Sequence, residues 1–181
     1  QIFINGKEVS ISGPNKAIEL GIGMVHQHFM LVQPFTVAEN IILGMEPMLP
    51  GGRVNMKAAR AKVNEISARY GLQVNADAKI EDISVGMQQR AEILKVLYRG
   101  ADILILDEPT NFLDEGHIAF LTRFLQQYEN AFILVSHDEK FLQDVVNVVY
   151  HVENAVLTRY TGSYKDFLAA HELRRRQNQQ A

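Results

Sequence analysis

Two adjacent carboxylates follow an unbroken apolar run in the second half of the chain. The run covers residues 103–106, and Asp107 and Glu108 come directly after it. Such a run is typical of a central strand in a parallel sheet, and α/β proteins bind ligands at the carboxyl edge of these strands. One carboxylate can hold Mg²⁺ while the other deprotonates an attacking water. Two solvated acids at an ordinary strand end are the alternative, and the hexapeptide alone leaves both interpretations open.

A serine and a glycine stand where a long helix is predicted to begin. Ser84, Gly86 and Gln88 lie in the segment Ser-Val-Gly-Met-Gln-Gln-Arg. A serine hydroxyl and the free backbone N–H groups of a helix N-terminus together form a phosphate-binding surface. The same residues also fit a plain helix N-cap, so the segment does not decide between these roles by itself.

Two further polar residues follow apolar strand-like segments. His137 comes after residues 131–135, and Gln27 comes after residues 22–25. A histidine just beyond a buried strand is well placed to contact a terminal phosphate, although a lone histidine can equally be structural. A lone glutamine carries no functional information.

The order of these features along the chain resembles that of the ATP-binding cassette (ABC) ATPases. The resemblance covers nearly all 181 residues. In that resemblance Gln27 matches the Q-loop glutamine and His137 the switch histidine. The other matches are residues 83–88 with the signature motif, residues 103–108 with Walker B and residues 111–114 with the D-loop.

The resemblance implies a role for each matching residue, with ATP and Mg²⁺ as cofactors. Asp107 and Gln27 would bind Mg²⁺, Glu108 would be the general base for water, and His137 would contact the γ-phosphate. Gln27 would also link the site to a helical lobe.

A second cassette is the partner that the resemblance implies. In the family two cassettes pack head to tail, and each completes the other's site. The residues that would act across this interface, on a nucleotide held mainly by the partner, are Ser84, Gly86, Gln88 and Asp114.

The phosphate-binding loop of the family is absent from these residues. That loop needs the pattern G-x-x-x-x-G-K-[ST], whose backbone amides and lysine hold the phosphates. The one Gly-Lys pair is Gly6-Lys7, which is followed by Glu8. The sequence thus predicts an amino-terminally truncated cassette that hydrolyses no ATP alone. The signature also departs from the usual pattern, with Val85 and Met87 in place of glycine and glutamine.

The family likeness changes character along the chain. Residues 1–110 resemble cassettes of sugar and nucleoside importers, and residues 111–181 resemble ABC-F proteins, which act at the ribosome. We therefore consider a chimera of the two. The leading hypothesis is an importer motor, cytoplasmic and peripheral at the inner face of the membrane, bound to permease subunits. The alternatives are a ribosome-associated translation factor and a fragment without activity.

Helical and strand patterns predict an α/β fold with a largely parallel, RecA-like core. The resemblance divides the chain into an amino-terminal core remnant (1–35), a helical subdomain (36–100) and a core with the carboxy-terminal helix (101–181). Helices are predicted at 56–70, 84–99 and 115–128, hairpin turns at 5–6 and 153–154, capping boxes at 36–39 and 163–166, and a polar connection at 73–82.

Composition excludes several classes of protein. The chain is 47% apolar and 22% charged with a net charge of −3, which is ordinary for a globular domain. It contains no cysteine, so disulfides and thiolate metal sites are excluded. No apolar stretch approaches the length of a membrane-spanning helix. His26 and His28 alternate on a predicted strand, but no third ligand accompanies them, so we predict no metal site there. The basic segment 174–176 fits a solvated helix end, and contact with ribosomal RNA is the alternative.

Overall fold

The computed structural model describes residues 1–179, which form an α/β fold around a small parallel sheet. Seven strands and seven helices follow one another in these residues. In chain order they are β1 (Ile2–Ile4), β2 (Lys7–Val9), α1 (Pro14–Glu19), β3 (Ile22–Val25), α2 (Val37–Ile42), α3 (Met56–Arg69), α4 (Val85–Tyr98), β4 (Ile103–Asp107), α5 (Glu115–Gln127), β5 (Ala131–Val135), α6 (Glu139–Val145), β6 (Val148–Glu153), β7 (Val156–Thr161) and α7 (Tyr164–Gln179).

The central sheet has the strand order β3-β4-β5, with both pairs parallel. Val25 of β3 pairs with Leu106 of β4, and Asp107 of β4 pairs with Val135 of β5. Because the strands are parallel and in this register, all three carboxyl ends meet at one edge of the sheet. The predicted α/β class is confirmed, and the residues that follow the strands are neighbours.

The two faces of this sheet differ in burial. Leu104 and Leu106 are fully buried in the main core, together with side chains of α4 and α5. On the other face Ile105 is half-buried, and Ile133 is 56% exposed. The apolar run of β4 predicted a strand covered on both faces. That prediction was wrong for the described residues, because hydrophobicity alone does not show which face a helix covers.

One edge of the sheet is open in the described residues. Among residues 1–179, β5 pairs with β4 along one edge, and no strand pairs with the other edge of β5. A groove runs beside this edge between β5 and the antiparallel hairpin of β6 and β7, lined by Val135, Val148 and Leu157 among others. A second antiparallel hairpin, β1–β2, turns at Asn5-Gly6 as predicted.

Capping residues fix the helix starts that the sequence predicts. Thr36 and Glu39 form the reciprocal capping box of α2, and Ser84 caps α4 by accepting from the backbone N–H of Met87. The second predicted box is also present, since Ser163 and Asp166 exchange hydrogen bonds at the start of α7. These caps satisfy N–H groups that have no partner inside their helices. None of the helices in residues 1–179 is long and apolar enough to cross a membrane.

The connection between α3 and α4, which the sequence predicts as polar over residues 73–82, is partly buried. Ile80 within it is fully buried, and so is Leu72 just before it. Its backbone also accepts from the start of α2, with the N–H of Val37 bound to Ala78 O at 2.9 Å and that of Ala38 to Ala76 O at 2.9 Å. Apolar residues alternate with polar ones in this segment, and this alternation indicated partial burial. The sequence prediction missed it because the polar residues lower the average hydrophobicity of the segment.

A buried asparagine of α2 holds the segment that follows β3. Asn40 is fully buried, and its Oδ1 accepts from the backbone N–H of Val32 at 2.7 Å. Its Nδ2 donates to Val32 O and Thr36 O, both at 3.0 Å. One side chain thus binds the backbone of the loop between Gln27 and α2 at two positions, Val32 and Thr36.

We expect Asn40→Ala to destabilise the protein by about 1–3 kcal/mol, because the substitution removes three partly buried hydrogen bonds to backbone groups. Chemical denaturation monitored by circular dichroism measures this change. The matched control is Asn147→Ala at an exposed position, which should change the free energy of unfolding by less than about 0.5 kcal/mol. Equal stabilities for the two variants would show that the Asn40 bonds contribute nothing.

Candidate functional site

Glu108 and His137 form the centre of the site at the carboxyl edge of the sheet. His137 Nε2 lies 2.8 Å from Glu108 Oε1, and the backbone N–H of His137 donates to Oε2 at 3.2 Å. The Glu108 side chain is 8% exposed, whereas that of His137 is 92% exposed. The imidazole contact has the distance of an ion pair but not the angles of a hydrogen bond, so Oε1 is buried without a hydrogen-bond partner among the described residues.

The backbone at Glu108 adopts an unusual conformation. Its φ is +46°, in the left-handed region that residues other than glycine rarely occupy. The N–H of Glu108 donates to Val135 O at 2.8 Å, which extends the pairing of β4 with β5 by one residue. The turn therefore directs the Glu108 carboxylate toward the end of β5, where His137 follows. A left-handed backbone conformation is strained for a residue other than glycine and persists only where the surrounding contacts hold it. Such residues are common at functional sites.

Asp107 and Gln27 flank this pair on the same edge. Asp107 ends β4 and is half-buried. Gln27 is exposed two residues beyond Val25, the residue that pairs with Leu106. The next residue, His28, stacks on Phe112 with ring centroids 6.5 Å apart, so the segment after β3 lies against the segment after β4.

Ser84 and Gln88 lie at the start of α4. Ser84 is exposed, and its Oγ accepts from the Met87 N–H at 3.3 Å. The Gln88 amide donates to the carbonyls of Ile80 and Ile83 at 3.2 and 3.3 Å. Both side chains make their hydrogen bonds within the turn that begins α4 and not with the Glu108–His137 pair. A direct nucleotide contact stays a prediction for each of them.

Gly86 is packed directly against the helix that follows the D-loop. It is buried, and a Cβ added to it would lie 1.9 Å from Cδ2 of the His117 ring. That ring is held in turn by Asp114, whose two carboxylate oxygens are each 2.9 Å from His117 Nδ1. Gly86 and Asp114 are therefore linked through one histidine of the same chain.

Hydrogen bonds from His117 favour the ionised form of Asp114. It caps α5, and the His117 backbone N–H donates to its Oδ1 at 2.9 Å. This bond, followed by the bond from the His117 side chain, lowers the pKa of Asp114 below its ordinary value. Asp114 is exposed and ionised at neutral pH, so it presents a negative charge next to the N-terminus of α4.

Buried polar side chains of α4 fasten this helix to the site loops. Glu92 is 2% exposed, and its Oε1 accepts from the Met30 N–H at 2.7 Å, while Lys95 Nζ donates to Met30 O at 3.0 Å. Gln89, also buried, donates to the carbonyl of Pro109, directly after Glu108. The helix α4 is therefore bonded to both the segment after β3 and the segment after β4.

The donor set of this edge fits a Mg²⁺–ATP complex. Asp107 and Gln27 offer oxygen ligands of the kind that Mg²⁺ prefers. The buried Oε1 of Glu108 has no hydrogen-bond donor in the part of the chain that the structure describes, and a water molecule can supply one. These residues can therefore hold a metal ion and accept a proton from water. The sequence identified all four residues of the edge, but their contact with a nucleotide stays a prediction.

Sequence reasoning missed His117, Glu92 and Asn40. His117 is three residues after Asp114, a spacing that places both on one side of a helix start, so this pair carried a local signal. Glu92 and Asn40 carried none, because each contacts a backbone group whose position depends on the tertiary fold.

The sequence of this chain is similar to those of known proteins. A family model described as "ABC transporter" matches residues 1–111. The guanosine import ATP-binding protein NupO of Bacillus subtilis is 61% identical over 126 residues, which are 70% of this chain and 24% of that protein. The nucleoside import ATP-binding protein NupA of Lactococcus lactis is 53% identical over 140 residues, 76% of this chain and 28% of that protein. The chain belongs to the ABC transporter ATPase family, and it spans about a quarter of the length of these two relatives.

Solved structures show the same fold. The structure of cbiO1 from Clostridium perfringens, part of the ABC transporter complex cbiONQ, superposes with a TM-score of 0.71 over 97% of this chain and 70% of that one, at 22% identity. The ADP conformation of the cassette MJ1267 gives a TM-score of 0.73 over 92% of this chain and 72% of that one, at 18% identity. The expected ABC cassette fold is confirmed.

We expect Gly86→Ala to destabilise the protein by about 1–3 kcal/mol, because the added methyl group overlaps the His117 ring. The same substitution in a His117→Ala background should be neutral or stabilising by up to about 1 kcal/mol, since alanine is the better helix former. Urea denaturation of the four proteins in this cycle measures the coupling. Gly116→Ala, in the first turn of α5, is the control and should lack the large penalty. Additive effects in the cycle would contradict the contact.

We expect the stability of Glu92→Gln relative to the unsubstituted protein to depend on pH. Burial raises the pKa of Glu92, although Lys95 and the Met30 N–H oppose the shift. The folded protein therefore binds this proton more readily than the unfolded chain, and its stability falls as pH rises from about 4.3 through the raised pKa. Glutamine removes this loss and keeps an acceptor for the Met30 N–H. The stability gain of Glu92→Gln should be greatest near neutral pH and shrink in acid.

Thermal denaturation from pH 4 to pH 8 tests this expectation. Glu65→Gln, on the exposed side of α3, is the control, and its difference from the unsubstituted protein should change little with pH. A Glu92→Gln advantage that grows as the pH falls would contradict the buried-carboxylate explanation.

Proposed function

We propose that the chain is part of the ATP-hydrolysing subunit of an ABC importer for nucleosides or sugars. ATP and Mg²⁺ are its cofactors, and the carboxyl edge of the sheet is its catalytic site. The single observation that carries this proposal is the Glu108–His137 pair, with a buried carboxylate oxygen that has no hydrogen-bond donor within residues 1–179.

Each residue of the edge has a distinct role in this proposal. Glu108 accepts a proton from the attacking water, and His137, whose ring is exposed, contacts the γ-phosphate. The left-handed backbone at Glu108 keeps the carboxylate in position before substrate arrives, which is the preorganisation that catalysis requires. Asp107 and Gln27 would hold Mg²⁺, which would neutralise charge on the phosphate oxygens when bound.

A second cassette is the partner for the signature residues. Ser84 is exposed at the N-terminus of a 14-residue helix, where its backbone amides favour an anion. Asp114 is exposed beside it. We place Ser84, Gly86, Gln88 and Asp114 at a head-to-tail interface, where they act on a nucleotide held by the partner. The contact of Gly86 with His117 keeps the start of α4 next to the D-loop at this interface.

The importer assignment rests on the relatives. The names of NupO and NupA describe guanosine and nucleoside import in those proteins. Their sequence identity to this chain supports the same class of cargo here. Such a subunit works at the cytoplasmic face of a membrane, against permease subunits. We assign permease contact to the subdomain of residues 36–100, whose helices pack on one another, and catalysis to residues 1–35 and 101–181.

The other hypotheses have less support. No comparison supports a ribosome-associated ABC-F protein, and we do not propose one. The hypothesis of a chimera between the two kinds of cassette stays a prediction, since no observation distinguishes the origins of residues 1–110 and 111–181.

We expect Glu108→Gln to reduce ATP turnover by about 10²–10⁴-fold while ATP binding persists, because the amide cannot accept the proton of water. The 181 residues alone should show no turnover, since they contain no G-x-x-x-x-G-K-[ST] loop. Turnover is therefore measured on a fusion in which the loop-bearing segment of an ABC cassette precedes Gln1. Phosphate release and fluorescent-nucleotide binding give the two readouts.

The control for this experiment is Glu129→Gln, which changes an exposed carboxylate outside the site. Turnover by the Glu108→Gln fusion at the rate of this control would disprove the general-base role. Robust turnover by the 181 residues alone would contradict the requirement for the loop.

A further inference from the structure

Two histidines and a glutamate converge between the β6–β7 hairpin and α7. His151 and Glu153 lie on β6, and His171 lies on α7, elements separate from those that carry Glu108 and His137. We propose that this cluster binds one divalent metal ion of the zinc type. The site is independent of the Mg²⁺–ATP site proposed above.

Strand and helix geometry bring the three side chains together. His151 and Glu153 are two residues apart on a strand and so project from the same face of the hairpin. His171 approaches this face from α7, and the two imidazole rings meet edge to face with centroids 4.5 Å apart. One ligand atom from each residue lies within 4.8 Å of the others.

One nitrogen of the cluster is buried and unsatisfied in the described residues. His171 Nε2 is 3.9 Å from Glu153 Oε2, which is too long for a hydrogen bond. The same nitrogen is inaccessible to solvent and has no hydrogen-bond partner among the described residues. A buried polar atom without a partner is destabilising, and a metal ion between the two groups would satisfy both.

The donor set selects the class of ion. Two imidazole nitrogens and one carboxylate oxygen suit Zn²⁺ and related first-row ions, whereas Mg²⁺ and Ca²⁺ prefer oxygen ligands alone. Two ligand atoms about 2.0–2.1 Å from zinc are about 3.4 Å apart in a tetrahedral site. Glu153, whose side chain is 61% exposed, can rotate to close the remaining distance. Three protein ligands leave a fourth position for water or for a ligand from another chain.

Aromatic packing holds the two histidines in place. Phe167 is buried one helical turn before His171, and its ring centroid lies 5.5 Å from that of each histidine. Tyr160 packs edge-on against the same phenylalanine at 5.0 Å. An apolar shell of this kind limits the access of water to a metal site and strengthens its ligand bonds.

Metal titration of the full 181-residue chain, prepared without a polyhistidine tag, tests the proposal. Isothermal titration with Zn²⁺ should give one saturable site of micromolar or tighter affinity, and EDTA should reverse an increase in melting temperature. Co²⁺ in place of Zn²⁺ should give the visible absorption of a low-symmetry site. Excess Mg²⁺ should leave the zinc isotherm unchanged.

Ligand variants distinguish this site from other histidines of the chain. Glu153→Gln, His151→Ala and His171→Ala should each weaken zinc binding by more than about tenfold. Glu153→Gln alters an exposed side chain and should fold normally, which keeps the test valid if a histidine variant does not. The double variant His26→Ala/His28→Ala is the control and should bind zinc as the unsubstituted chain does.

The proposal is overturned by any of three results. These are no saturable zinc binding, zinc binding that survives Glu153→Gln and both histidine variants, and zinc binding that is lost in the His26/His28 control. None of these results bears on ATP turnover, so the metal site and the proposed function are tested independently.

Discussion

Parallel pairing of β4 with a neighbour on each side determines where the chemistry of this chain can occur. The register aligns Val25 with Leu106 and Asp107 with Val135, so the segments after three strands emerge at one edge. Glu108 then leaves the strand in a left-handed conformation and turns its carboxylate toward His137. A slip of one residue in the pairing of β4 with β5 would reverse the face of every side chain in the shifted strand and separate Glu108 from His137.

The helix α4 depends on this edge and also stabilises it. Its buried face joins the core, while its polar side chains bond to loop backbone at Met30 and Pro109. Its first turn packs on His117 with no room for a side chain at Gly86. A rigid helix with contacts to both site loops can move as one body, and the proposed function would use such a movement to pass a change at the nucleotide to a partner.

Local signals predicted most of the elements and the edge residues. Capping boxes at Thr36 and Ser163 and the Asn5-Gly6 turn are short-range features, and the structure confirms them. The contacts of the buried Asn40 and the proposed metal ligands around His171 depend on residues that the fold brings together. No local pattern could therefore reveal them. Burial of the second sheet face was predicted wrongly, because an apolar strand does not specify what covers it.

The open edge of β5 affects how assemblies of this chain are interpreted. Among residues 1–179 the N–H and C=O groups on that edge have no strand partner, and exposed Ile133 and Val135 lie beside them. Two copies can join their sheets there through backbone hydrogen bonds in a two-fold, antiparallel arrangement. The two Glu108–His137 edges would then point in opposite directions, with each Ser84 far from the other copy's site. Molecular mass in solution therefore would not identify the head-to-tail pair that we propose, whereas a signal that requires Ser84 of one copy at the nucleotide of the other would do so.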